Sequence, residues 1–188
     1  MKRKYNEIPI DILKELLDYN SKTGKLYWKK RDLKYCNSEK SCNIFNIKHA
    51  EKEAFIHKRK DGYYKGSIFG EDYLKHRVIW AFHYEKWPQQ QLDHINRIRD
   101  DNRICNLREA TYQQNAQNTS SVKGSASKSL GVSWNKRDQR WRADIRVNGV
   151  KIYLGAFEKE KDAAKAYDKA AKKHHEEFAN FNFPELVE

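Results

Sequence analysis

Leu92–Asn118 reads LDHINRIRDDNRICNLREATYQQNAQN. Asp93-His94 closes a short stretch flanked by apolar residues. Asn106 follows His94 by 12 residues, Asn115 by 21, and Asn118 comes three later. Thr111 suits a helix N-cap, which would put Asn115 and Asn118 on one face of a short helix. The order expected is strand, loop, strand, helix, with Asp93 and Asn115 directed into the cleft between strand and helix. Oxygen donors of this kind suit magnesium or manganese better than zinc. An imidazole kept neutral beside such an ion can take a proton from water. Singly, each residue has a plainer reading: asparagines in loops are turn formers and caps, Asp101-Asn102 among them, and a lone histidine is more often surface or core. It is the joint spacing that points to a site.

Upstream, IPIDILKELLD (8–18) places Ile10, Leu13, Leu16 and Leu17 on one helical face. KLYWK (25–29) and GYYKGSIF (62–69) have strand composition. LKHRVIWAFHYEKW (74–87) suits a helix with Val78, Ala81 and Phe82 inward, stopped by Pro88. His76 and Arg77 on it are candidate phosphate contacts or part of a solvated face. Residues 31–53 are polar and irregular and receive no element. Arg97, Arg99 and Arg103 make the loop after His94 positive. Arg108 is placed to clamp a phosphate or an acidic neighbour.

Downstream, TSSVKGSASKS (119–129) is small, polar and free of aromatics, as a linker is. Beyond it the pattern changes. GVSWNKR, RWRADIRVN and KIYLGAF read as three strands, with Asn148-Gly149 as the second hairpin turn. An alanine-rich helix follows over 158–175, with Ala163, Ala166, Tyr167, Ala170 and His174 on one face. In WRADIRV, period-two alternation puts Trp141, Ala143, Ile145 and Val147 on one side and Arg142, Asp144 and Arg146 on the other. Residues 123–153 hold eight Lys and Arg against two acids, and the 35 residues after them hold six basic and eight acidic groups. In this part of the chain the positive charge is thus confined to the strands.

The chain has 188 residues with 38 Lys and Arg against 26 Asp and Glu, a net charge of +12. Hydrophobic residues are 38% and charged residues 34%, too polar for one large core, while 13% aromatics argue against simple disorder. Two small aromatic-rich domains fit. Nucleic acid is the partner that such a charge suggests, with an anionic membrane surface as the alternative. The sequence holds no run of 18 apolar residues, so no membrane span is expected. MKRKYNEIPIDIL lacks an apolar signal core, so the expectation is a cytoplasmic protein that is not secreted. Cys36, Cys42 and Cys105 make no disulfide framework, and Cys36 and Cys42 lack a second ligand pair at zinc spacing.

Asp93 to Asn118 resembles the HNH nuclease motif, in the free-standing homing-endonuclease branch found mostly in phages. LLDYNSKTGKLYWK and HRVIWAFHYEKWP also look like that family's N-terminal part, so the resemblance covers about residues 8–118. It implies that Asp93 and Asn115 bind the metal, that His94 is the general base, and that Asn106 braces the metal loop. Asn118 is a candidate for the scissile phosphate, though its spacing departs from the branches with a further histidine. The implied products are a 5′-phosphate and a 3′-hydroxyl. Residues 130–183 resemble the ethylene-response-factor, or APETALA-two type, DNA-binding domain through GVSW, WRADI, YLGAF, AAKAYDKAA and FANFNFP. That resemblance implies DNA contacts from Ser133, Lys136, Arg142, Arg146, Lys151 and Tyr153, with Trp134, Arg137 and Arg140 nearby. Ser133 stands where the family often has arginine, and Tyr153 where it often has tryptophan.

The expectation is therefore an α+β protein: an N-terminal HNH ββα-metal nuclease domain over 1–118, a flexible linker over 119–129, and a three-stranded antiparallel sheet packed on one helix over 130–188. Its partner would be double-stranded DNA and its cofactor Mg2+ or Mn2+. A monomer is expected to nick, and a dimer would cut both strands. If phage-encoded, it would work in the host cytoplasm. Two rivals are a transcription regulator with a vestigial nuclease site and a sequence-neutral DNA-packing protein.

Overall fold

The computed structural model describes residues 7–118 and 127–186; most of the expected linker lies outside them. Contacts divide the chain into two units, Met1–Glu109 and Ala110–Glu188. The architecture is α+β throughout.

The first unit opens with helix α1 (Ile10–Leu16), which ends as the backbone extends at Leu17 into strand β1 (Leu17–Asn20). Leu17 is buried from the strand rather than from the helix. Strand β2 (Lys25–Trp28) returns across a turn at Gly24, and β3 (Glu53–Ala54) completes a sheet of order β1-β2-β3. Between β2 and β3 lies helix α2 (Glu39–His49), in the stretch that carries no clear periodicity. Its start is fixed locally: Ser38 and Ser41 cap each other's backbone N–H groups. Its outer side is polar or apolar without order, so the pattern of its residues does not announce it. A second sheet has order β4-β5-β6, from β4 (His57–Lys58), β5 (Tyr64–Ile68) and β6 (Glu71–Leu74).

Helix α3 (Lys75–Tyr84) runs on directly from β6. It stops at Glu85, which takes a left-handed conformation at φ 56°, three residues before Pro88. The helix is thus ended by its own backbone rather than by the proline. Val78, Ile79 and Ala81 are wholly buried and meet Leu13, Leu16, Leu17, Leu26 and Ile68 in one core. Burying each such large aliphatic side chain contributes about 1.5–3 kcal/mol before chain entropy is counted. Strand β7 (Gln91–His94) pairs with β8 (Leu107–Ala110) and brings Leu92 and Leu107 to the same core. Helix α4 (Tyr112–Gln117), the first element wholly in the second unit, is started by Thr111 and Gln114 in a reciprocal cap.

In the second unit β9 (Val132–Asn135), β10 (Arg140–Val147) and β11 (Val150–Phe157) form an antiparallel sheet of order β11-β10-β9. Asn148 and Gly149 both have positive φ, 50° and 81°, the geometry a right-twisted two-residue hairpin needs. Helix α5 (Glu160–His175) covers one sheet face with Ala163, Ala164, Tyr167 and Ala171. Its buried face is turned by one residue from the expected one: His174 is exposed, while His175 is buried with its Nε2 3.0 Å from the Arg146 carbonyl. Gly131 sits under Tyr167, where a Cβ would come within 2.0 Å of the ring. The closing segment returns to buried Asp168, whose carboxylate accepts from the Asn182 and Phe183 amides, both at 2.8 Å.

Candidate functional site

β7 ends on the acid–imidazole pair. Asp93 and His94 are both buried, His94 to 3% exposure. The Asp93 carboxylate is engaged by the next strand: Arg108 Nε lies 2.9 Å and Nη2 2.8 Å from its Oδ2. Arg108 thus meets the acidic neighbour of its two expected partners. The His94 ring is walled by His76, with centroids 5.3 Å apart, and by Tyr63 at 5.7 Å. Its Nε2 lies 3.1 Å from Asn102 Oδ1. Asn102 is 1% exposed, and its Nδ2 donates to the Asp100 carbonyl at 3.1 Å, which sets the amide's orientation. With the amide oxygen so directed, Nε2 carries the ring proton and the lone pair is on Nδ1. Burial lowers the His94 pKa below the ordinary imidazole value, against the opposing pull of the Asn102 hydrogen bond and of the Asp93 charge. The ring is therefore neutral at pH 7.

Asn106 holds both ends of the intervening loop. Its Oδ1 accepts from the Asn96 amide at 2.9 Å, and its Nδ2 donates to Asn96 Oδ1 at 2.9 Å and to the Asp101 carbonyl at 2.8 Å. Its own carbonyl accepts from Ile95 N at 2.9 Å. Asp101 is gripped by Arg103 through Nε at 2.7 Å and Nη2 at 2.6 Å, and the pair holds the carboxyl down to about 2. Arg103 is thus used inside the loop, and Arg99 donates to the Asp61 carbonyl at 2.6 Å. Arg97, at φ 65°, leaves the loop's fold by the left-handed region.

Asn102 is the functional residue that reading the sequence missed. Its only signal was a second asparagine in a loop already rich in turn formers. Equally silent was Gly24: at φ 68°, its missing Cβ would fall 2.5 Å from the backbone of Asn102 and Arg103. The β1–β2 turn therefore packs against the loop that orients His94. His76 is not a phosphate contact. It is 5% exposed, and burial drives its pKa down to about 3. Arg77 donates to the Pro88 carbonyl at 3.2 Å and the Gln90 carbonyl at 3.3 Å. Asn115 lies half-buried on α4, and Asn118 is buried at its C-cap, both in the second unit.

Among the described residues, no three His, Cys, Asp or Glu side chains converge as a metal site. The donor that is present is the buried Asp93 carboxylate, in a motif free of thiolates apart from the exposed Cys105. That donor fits a hard cation which keeps waters and takes further ligands from a phosphate, as magnesium does, better than it fits zinc.

The second unit presents the other candidate surface. Ser133, Lys136, Arg137, Arg140, Arg146, Lys151 and Tyr153 are exposed, and Arg142 is half-buried. Arg142 faces Ser133 across β9–β10, and Arg146 faces Lys151 across β10–β11. Trp134 belongs to the other face. It pairs in register with Trp141, their rings 5.0 Å apart, and Trp141 packs on the core beneath α5. The alternation also breaks at Asp144, which is buried although it is on the basic side, where the β10–β11 register shifts after Ala143.

Residues 73–117 match the family model for HNH endonucleases, and residues 127–177 match that for the AP2 domain. The chain thus carries one segment similar to HNH endonucleases and a second similar to the AP2 domain. The HNH match covers β6 to α4 and so contains Asp93, His94, Asn102, Asn106, Arg108 and Asn115. The AP2 match contains all three strands of the second sheet and α5. The first match points to nuclease chemistry in general, and the second to DNA binding. No solved structure matches the chain. No helix among the described residues is long and apolar enough to cross a membrane.

Proposed function

We propose that this chain is a site-directed, divalent-metal-dependent DNA endonuclease of the homing type. The observation that carries the reading is the buried Asp93-His94 pair, its imidazole neutral and held by Asn102, on the same chain as an AP2 sheet with a basic face. His94 takes a proton from a water as that water attacks phosphorus in line with the leaving 3′ oxygen. A neutral imidazole has a lone pair for that proton, and such a transfer is worth about 10²–10⁴ in rate. Asp93, its carboxylate oriented by Arg108, is the residue to hold magnesium or manganese, and Asn115 is the further ligand that the HNH resemblance implies. Bound there, the ion would stabilise the charge that develops on the phosphate and on the leaving oxygen. Asn106 and Asn102 keep the loop and the imidazole in place. The products are a 5′-phosphate and a 3′-hydroxyl. The AP2 sheet binds duplex DNA, through Ser133, Arg142, Arg146, Lys151 and Tyr153 with Lys136, Arg137 and Arg140 at the rim. Tethering to it raises the nuclease's local concentration to roughly millimolar. Cleavage then falls within about one or two helical turns of the bound sequence.

Supercoiled plasmid with magnesium tests the reading. Purified protein should nick it, and His94→Ala should lose nicking by about a hundredfold or more while still retarding DNA in a gel. Undiminished nicking by His94→Ala would remove the assignment. Retardation with no nicking by the wild type would leave a DNA-binding regulator.

A further inference from the structure

The basic face of the AP2 sheet holds one acid, and that acid is engaged twice. The Asp144 side chain is 8% exposed. Arg142 Nε lies 3.0 Å from each of its oxygens, and Arg142 Nη2 is 3.0 Å from Oδ1. Lys151 Nζ lies 3.1 Å from Oδ2. The Arg142 guanidinium also lies 4.8 Å from the ring centre of Tyr153, the residue opposite Asp144 across the strands. The backbone beneath is anchored as well, with Asp144 N donating to the Gly131 carbonyl at 2.8 Å. A carboxylate in the middle of a surface made to attract phosphate weakens that attraction, since like charges repel across the interface. Its presence needs another reason, and the geometry supplies one. Asp144 takes Arg142 side-on, through Nε and Nη2, while Tyr153 supports the guanidinium. The edge formed by the two terminal nitrogens remains for a partner, and that edge is the one which pairs bidentately with guanine O6 and N7. A guanidinium without such a hold swings to the nearest phosphate, which carries no sequence information.

We propose that Asp144 is a specificity-determining positioning residue. It holds the Arg142 fork for base reading and gives up sequence-independent affinity in exchange for discrimination. The inference rests on the reading of this sheet as the DNA surface.

The full-length chain, in chelator so that no strand is cut, is used to select a preferred duplex from a random library. Affinities for that duplex and for a shuffled duplex of equal length are then measured by fluorescence anisotropy over a range of salt. For Asp144→Asn the ratio of the two affinities should fall by about tenfold. Binding to the shuffled duplex should tighten, and its salt slope should steepen by about one. Asp144→Glu keeps the charge but displaces it, so the ratio should fall without tighter shuffled binding. In an Arg142→Ala background, Asp144→Asn should change the ratio no further. Thermal melts of each variant establish that it is folded. A preserved ratio in both folded Asp144 variants overturns the proposal alone. So does a loss that persists without Arg142, because the carboxylate would then be reading a base itself, as an acceptor from cytosine N4. A wild type that binds both duplexes equally overturns the site-directed reading, and the proposal with it.

Discussion

Two histidines of the first unit, His76 and His94, are both buried and differ in their hydrogen bonding. His94 meets Asn102 through its Nε2, whereas no hydrogen bond to His76 Nδ1 is found among the described residues. Replacing Asn102 with Ala frees the imidazole to rotate and to change tautomer. Nicking should drop by about 10–100-fold with DNA retardation intact, as for other partners that orient a reacting group. His76 makes a different prediction, about stability. Its pKa is about 3 in the folded protein against 6.5 when unfolded, so below pH 6.5 the unfolded chain binds the extra proton. Folding stability from this group is complete above pH 6.5 and is lost as pH falls toward 3. The urea midpoint should decline between those pH values in the wild type and decline less in His76→Phe, which keeps a ring against Tyr63. Equal declines would assign acid sensitivity to other groups. Asp93-His94 was legible because its chemistry is written in adjacent residues and fixed spacings. Asn102 was not, since an asparagine that orients a histidine and one that makes a turn are the same letter in the same kind of loop.

Elements were legible where burial follows a period. The three AP2 strands, their Asn148-Gly149 turn and helix α3 follow from alternation or from spacing of apolar residues. Helix α2 did not, because only Cys42 of its residues is buried, and a helix held by its cap and its edges shows no stripe. The face of α5 was misjudged by one residue because alanine is equally at home inside and outside, so the composition EKDAAKAYDKAAKKHH leaves the phase loosely set. Turns carry predictions of their own. Gly24→Ala combines a left-handed backbone with a clash against Asn102 and Arg103, where no flexible side chain can yield. It should lower stability by about 1–3 kcal/mol and also depress nicking, through the loop that holds His94. Calorimetry with the plasmid assay checks both, and unchanged nicking in a destabilised variant would separate the turn from the site. Gly131→Ala meets the Tyr167 ring and the Asp144 carbonyl; it should destabilise the second unit and weaken DNA retardation.

For the whole molecule, composition pointed to nucleic acid or an anionic membrane surface before any motif did: of the net charge of +12, residues 1–122 carry +8, residues 123–153 carry +6 and residues 154–188 carry −2. With six to eight phosphate contacts, affinity for duplex DNA should fall by about a thousandfold or more between roughly 50 and 200 mM salt. A flat response in the gel shift would argue against the AP2 sheet. Binding and cutting should also separate by chelation: EDTA should remove nicking and leave retardation. The pair Trp134–Trp141, 5.0 Å apart and steeply inclined to one another at 61°, has a practical consequence. Two indoles so close couple their excited states, and the resulting circular-dichroism couplet reports on the AP2 fold alone, because the remaining tryptophans, at 28, 80 and 87, lie in the other unit. Heating the intact chain while watching that signal beside total fluorescence, to which all five tryptophans contribute, shows whether the second sheet melts with the rest.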